Sequence, residues 1–199
     1  MSMYDDENDE KAVRSEQRPE SITDQLSFKS RFVFIFGEIN HQTARTTCER
    51  LVAMAAQSDA PIRVLISSPG GHVESGDAIH DIIRFISAPV TTIGTGWVAS
   101  AGTHIFLAAE KERRVCLPNT RFMIHQPLGG AGGPATDIAI QAKEILRMRE
   151  RIARTIAKQT GKPYDKVLAD MERDFWLSPK EAIEYGIVSR VIESYKDVG

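Results

Sequence analysis

The chain has 199 residues, 42% hydrophobic and 26% charged, enough for one domain with a substantial core but cramped for two. Those proportions exclude collagen-like, disordered and disulfide-scaffold chains. Lys plus Arg number 25 against 27 Asp plus Glu, a formal net charge of -2, so no basic excess exists to grip a phosphate backbone and nucleic acid is not an expected partner. Cys48 and Cys116 are far apart, match no zinc spacing, and read as small buried hydrophobes of a reducing compartment. No apolar run approaches the ~18 residues of a membrane span. The N-terminus is acidic where a signal peptide would be basic and then apolar. A cytoplasmic protein with no membrane partner is expected.

Along the chain, residues 1–28 form the one biased segment. Asp5, Asp6, Glu7, Asp9 and Glu10 cluster there, and mixed charges continue to Asp24 with little to bury. Such a stretch cannot offset its ordering entropy, so a mobile acidic arm is expected, followed by a single domain over 29–199. Phe32–Phe36 is a continuous apolar run that predicts a strand covered on both faces. A helix follows with Ala44, Cys48, Leu51, Val52 and Ala55 on one face, then a buried strand, Arg63–Ile66, and the sharp turn Ser68-Pro69-Gly70-Gly71. Ile79, Ile82, Ile83 and Ile86 mark an amphipathic helix. Val90–Ile93 predicts a third strand and Ser100–Ala109 a helix; Val115–Leu117 and Phe122–Ile124 predict two more strands. The glycine-rich stretch Gly129–Pro134 precedes a long helix from about Thr136 to Gln159, closed by Gly161. Ser178-Pro179-Lys180-Glu181 is a capping box that opens another helix. Strands alternating with helices at this spacing predict an α/β fold with mostly parallel pairing.

Three places are candidates for chemistry. In Gly94-Thr95-Gly96-Trp97-Val98-Ala99-Ser100-Ala101-Gly102, small residues flank Ser100 where a strand turns into a helix. A hydroxyl on such a turn suits a nucleophile, because free N–H groups nearby stabilise negative charge; it equally suits an ordinary helix N-cap. His125 ends the apolar run Met123-Ile124, as either a catalytic base or a histidine satisfied by backbone. Of the other histidines, His41 and His80 fall on predicted helix surfaces, His104 lies one turn after Ser100, and His72 follows the glycine turn. The paired glycines of Ser68–Gly71 let backbone N–H groups approach a ligand, as an oxyanion hole or anion nest would require, and also suit a plain turn. No Walker motif, dinucleotide fingerprint or H-E-x-x-H occurs, which removes support for nucleotide and zinc-protease readings. A serine and histidine need an acid to hold the imidazole tautomer. Spacing leaves Asp77, Asp81, Asp137, Asp165, Asp170 and Asp174 open; Asp174 stands out because Phe175-Trp176-Leu177 would draw it inward.

Taken together, Ser-Pro-Gly-Gly, Gly-Trp-Val-Ala-Ser-Ala-Gly, Cys-Leu-Pro-Asn-Thr-Arg-Phe-Met-Ile-His-Gln-Pro and Glu-Arg-Asp-Phe-Trp-Leu-Ser resemble the proteolytic subunit of Clp protease, from about Phe32 to Ile192. The resemblance implies the ClpP/crotonase-type fold of repeated β-β-α units. It also implies a protruding handle at about 126–160, and a serine endopeptidase working inside two stacked heptameric rings. Carried over by position, Ser100 is the nucleophile, His125 the general base and Asp174 its orienter. Gly71 and Ala101 supply the oxyanion hole, and Val73, Leu128 and Gly130 pair an extended substrate. The implied partners are unfolded polypeptides and an AAA+ unfoldase that spends the ATP; no cofactor or metal is implied for this chain.

Departures from the family pattern favour a second possibility, an accessory paralogue that is weak alone and works in a mixed barrel with a second proteolytic subunit. Pro134 stands where a glutamine commonly aids ring-to-ring contact near Arg173, and proline offers neither side-chain amide nor N–H. Arg63 and Leu65 stand where aromatics often line the unfoldase groove, leaving Phe85 and Ile192 as its apolar remainder. A crotonase-type acyl-CoA enzyme shares the fold but has no use for the Ser100, His125 and Asp174 set.

Overall fold

In the computed structural model, which describes residues 21–130 and 132–198, the first described element is a capped helix. Ser21 is the N-cap of α1 (Ile22–Lys29), its side chain accepting from the Asp24 amide. Arg50 holds Asp24 at 2.6 Å, and Phe28 packs on the core. The end of the segment expected as an arm is therefore helical and docked; residues 1–20 lie outside the described residues.

The core is a seven-stranded sheet in the order β1-β2-β3-β4-β7, with β5 branching from β3 and β6 beyond it. β1 (Phe32–Phe36), β2 (Ile62–Ser68), β3 (Val90–Ala99), β4 (Arg114–Cys116) and β7 (Arg190–Val191) all run parallel. β5 (Arg121–Ile124) joins β3 in parallel and β6 (Phe175–Leu177) antiparallel, so the expectation of mostly parallel pairing is met. The connections are helical: α2 (His41–Gln57), α3 (Val73–Phe85), the short α4 (Ala101–Phe106), α5 (Ala135–Thr160), α6 (Tyr164–Asp170) and α7 (Pro179–Tyr185).

β3 forks the sheet. Its first half, Thr92–Gly94, pairs with Arg114–Cys116, and its last residues, Trp97–Ala99, pair with Arg121–Met123. Gly96 at φ +59° lies between the two halves, in a backbone region that glycine enters without strain. The fork carries the chain onto β5, and the residue after Ala99, whose amide donates to Met123 O there, is Ser100.

Several expectations are corrected. Phe34 and Phe36 are 49% and 57% exposed, not covered, because β1 is the sheet's edge and only Val33 and Ile35 face the core. On α2 the expected face is met at Ala44 and Leu51, which are buried, and at Cys48 and Ala55, which pack partly buried on the core; Thr47 and Met54 complete the stripe, and Val52 faces solvent instead. His80 is buried instead of lying on a helix surface. Cys116 is buried and Cys48 half-buried, both free. Burial pushes the Cys116 thiol up to about 11 and also raises Cys48, so neither is a ready thiolate.

The long helix expected from about Thr136 to Gln159 is α5, with Pro134 before it and Gly161 closing it at φ +75°. The capping box at Ser178 is present in full, the Glu181 side chain returning to the Ser178 amide. No described helix is long and apolar enough to cross a membrane.

Candidate active site

Ser100 has φ +55° and ψ -121°, a strained conformation for a residue with a side chain. Its neighbours hold it there. The Ser100 amide donates to the Met123 carbonyl at 2.9 Å, locking the turn onto β5. Thr103 Oγ1 donates to the carbonyls of Val98 and Met123 at 2.7 and 2.9 Å, fixing the same corner from below. The Ser100 side chain makes no capping bond to α4, so the N-cap reading fails and the hydroxyl is free for another partner.

That partner is His125. The ring Nε2 lies 2.8 Å from Ser100 Oγ and Nδ1 lies 2.9 Å from Asp174 Oδ1. A carboxylate only accepts, so Nδ1 carries the proton and Nε2 is left to receive one from the serine. The antiparallel β5–β6 pairing makes this contact: Ile124 sits opposite Phe175, which places the next residue of one strand beside the preceding residue of the other. Gln126 extends the clamp, its amide donating to Met171 O at 2.6 Å and its side chain to Glu172 O at 2.9 Å. Asp174 is 61% exposed and not drawn inward as expected, because β6 begins at Phe175 and the acid stays on the rim.

None of the other five acids bonds His125 among the described residues. Asp77 pairs with His104 and Arg151, and Asp170 with Lys166 and the Tyr185 hydroxyl. Asp81, Asp137 and Asp165 are exposed.

Gly71 follows Gly70, which packs on Ser100, and Ala101 is the next residue after the serine, so both carry backbone N–H groups in its neighbourhood. Ile39 and Gly71 form a parallel bridge in which the Ile39 amide donates to Gly70 O and the His72 amide to Ile39 O. In a parallel bridge the two flanking peptides supply those bonds, so the Gly71 N–H points to the opposite side. Ala101 is the first residue of α4, and its N–H has no acceptor within the helix. A Cβ on Gly71 would come 2.2 Å from Ile39 O, so only glycine fits that approach. Ile39 and Gly70, which brace this turn, were not singled out from the sequence; a bridge between distant segments leaves no local signal.

Beside Ser100 and His125 opens a narrow pocket lined by Val73, Ala101, His104, Ile124, Pro127, Ile152 and Ile156. Val73 thus lies against the serine, whereas Leu128 is 83% exposed and Gly130 has open space around it, both on the segment leading to α5. Among the described residues no His, Cys, Asp and Glu group is arranged to hold a metal.

This arrangement can transfer a serine proton to an oriented imidazole. Its distribution over the chain agrees with a match of residues 14–195 to the Clp protease family model. The chain belongs to the Clp protease family. It is 53% identical to an ATP-dependent Clp protease proteolytic subunit 3 of Rhizobium etli, over 98% of this chain and all of the relative. It is 56% identical to a proteolytic subunit 2 of Gluconobacter oxydans, over 94% of this chain and 84% of the relative. Among solved structures, an N165D mutant of ClpP1 from Listeria monocytogenes superposes with a TM-score of 0.84 at 51% identity, covering 89% of this chain and 100% of that one. The α/β fold is accordingly the Clp protease fold and the chain a Clp-type serine protease subunit, which leaves the crotonase alternative behind.

Proposed function

We propose that Ser100, His125 and Asp174 cleave peptide bonds in unfolded chains. The observation that carries this is the continuous relay from Ser100 Oγ through both His125 nitrogens to Asp174, with spans of 2.8 and 2.9 Å. His125 takes the proton as Ser100 attacks the scissile carbonyl, and Asp174 stabilises the imidazolium. The Gly71 and Ala101 amides hold the tetrahedral oxyanion, each worth roughly 3 kcal/mol when well placed. The leaving amine takes its proton from His125, and water then releases the acyl-enzyme through the same base. Val73, Leu128 and Gly130 align the extended substrate; Val73 is supported by its place in the pocket, the other two by their exposure on the segment leading to α5.

The working assembly is a barrel of two heptameric rings fed by an AAA+ unfoldase in the cytoplasm, where Cys48 and Cys116 stay reduced. A mixed barrel with a second proteolytic subunit is favoured by the ordinals 2 and 3 in the names of the relatives. For the unfoldase, an apolar surface is at hand: Leu26, Phe34 and Tyr195 are exposed around Phe32, and Phe85 is 81% exposed. Ile192, expected there, is buried with Ile93 and Val115. Arg63 lies over the Phe32 ring at 5.6 Å, its guanidinium set against an aromatic face of this surface.

The test is a fluorophosphonate probe with peptide hydrolysis, on the chain alone and mixed with a second proteolytic subunit. Labelling confined to Ser100 and lost in Ser100→Ala supports the reading. Peptide hydrolysis that survives Ser100→Ala in the active assembly overturns it.

A further inference from the structure

The pocket beside Ser100 holds one polar side chain that the proposed chemistry does not use. His104, one turn along α4, lines it among otherwise apolar residues, and its side chain is only 8% exposed. Burying an imidazole in such a lining costs free energy unless its nitrogens find partners. Here only one does. Nε2 lies at ion-pair distance, 3.0 Å, from Asp77 Oδ1, although that oxygen accepts no well-aligned hydrogen bond, while Nδ1 is buried without a hydrogen-bond partner among the described residues.

The surroundings fix which nitrogen carries the proton. Burial pushes the Asp77 carboxyl up, but contacts with His104 and Arg151 outweigh it and hold the group well below the usual carboxylate range. Arg151 reaches Asp77 Oδ1 and Oδ2, each at 2.7 Å, and already balances its charge. Two lone pairs facing one another at 3.0 Å would repel, so Nε2 presents its proton to the Asp77 carboxylate, and Nδ1, without a partner, is the nitrogen left to accept. The ring cannot turn away easily: His80 stacks on it at 4.4 Å and donates from Nδ1 to the His104 carbonyl at 2.8 Å.

We propose that His104 is a specificity-determining residue whose Nδ1 accepts a hydrogen bond from the tip of the substrate side chain on the acyl side of the scissile bond. The preferred side chain has an apolar stem and a donor at its end, a carboxamide such as glutamine. A carboxylate of the same shape offers only lone pairs to Nδ1 and is rejected; a thioether or alkyl chain fits but leaves the nitrogen unsatisfied. This rests on Ser100 being the nucleophile, which fixes where the acyl-side residue sits.

The experiment compares kcat/KM for peptides that differ only at the residue before the cleaved bond, with glutamine, glutamate or methionine there. It uses the full chain in its active assembly, with fluorophosphonate labelling of Ser100 in parallel. Glutamine should exceed methionine by about tenfold, the worth of one well-made hydrogen bond, and glutamate should be poorest. In His104→Leu the glutamine-to-methionine ratio should fall to about one or below, and His104→Gln, which keeps an acceptor, should restore part of it. A wild-type ratio near one, a preference for glutamate, or a ratio unmoved by His104→Leu overturns the proposal. Should His104→Leu not fold, the wild-type ratio alone decides. Absence of label on wild-type Ser100 sinks the nucleophile assignment instead; labelled Ser100 with no glutamine preference sinks only the role of His104.

Discussion

A Cβ placed on Gly70 would lie 2.6 Å from the Cβ of Ser100 and 3.1 Å from its Oγ. The glycine turn and the nucleophile therefore touch through a hydrogen atom, and Gly70 also holds φ +101°. Any side chain at this position must push the turn away from Ser100. A displacement of about 1 Å at a reacting group costs roughly 100-fold in rate. Gly70→Ala should lower kcat/KM for a short peptide by about that factor. Assembly should be preserved, as checked by native mass spectrometry. Wild-type turnover in Gly70→Ala would mean that the turn does not set the position of the hydroxyl.

The three relay residues act as one unit. Ser100→Ala, His125→Ala and Asp174→Asn should each reduce peptide hydrolysis by about a thousandfold or more, and the double variants should be scarcely worse than the singles. Asp174→Asn keeps the contact but offers an amide that can satisfy the wrong imidazole tautomer. Its pH–rate profile should change shape as well as height, a readout that Ser100→Ala cannot give. Strictly multiplicative losses in the doubles would argue that the residues do not work together.

Local parts of this fold were legible and tertiary ones were not. Ser178, Glu181 and Gly161 mark helix ends because capping is decided within a few residues. Alternation of strands and helices predicted the parallel sheet. The exposure of Phe34 and Phe36 was not readable, since an edge strand and a central one share the same apolar run until neighbours are known. In the site, Ser100 and His125 stood out by their places at strand ends. Six acids were open by spacing alone; Asp174 stood out by the apolar run after it, and the family resemblance then assigned it. The β5–β6 register that delivers it to His125 joins segments 49 positions apart. The His104–Asp77 pair was hidden for the same reason: both residues were noticed, but nothing in the spacing joins α3 to α4 and α5.

Arg31 is another residue that the sequence does not advertise. Buried, and at φ +57°, it donates through its guanidinium to the carbonyls of Pro61, Met54, Ser58 and Ala60, at 3.3, 3.0, 3.0 and 2.7 Å. It thereby closes the C-terminal end of α2 and the loop leading into β2. Removing it leaves several carbonyls short of a donor, and Arg31→Ala should destabilise the fold by about 3 kcal/mol in chemical denaturation. Arg31→Lys should recover little, because a point charge cannot reach four acceptors in the plane of a guanidinium. A loss below about 1 kcal/mol would reduce these contacts to the ordinary value of a single hydrogen bond.

His80 makes acid sensitivity part of the core. Burial, with the adjacent His104 adding to it, lowers its pKa from 6.5 to about 4. Between those values the unfolded chain binds a proton that the folded chain refuses, so stability rises with pH across the window and is lost as pH falls from about 6.5 to about 4. The full effect of such a shift is on the order of 3 kcal/mol. Asp77, held well below the usual carboxylate range, contributes in the same direction but in a lower window, beneath its ordinary value of 3.8. The two are therefore separable. In His80→Phe, which retains an aromatic ring to stack on His104, the decline in denaturation free energy between pH 6.5 and 4 should be shallower by about 2–3 kcal/mol than in the wild-type chain. The comparison is made at equal protein concentration, because assembly also shifts apparent stability. Parallel pH curves for the two proteins across that window would show that His80 is not the group that titrates.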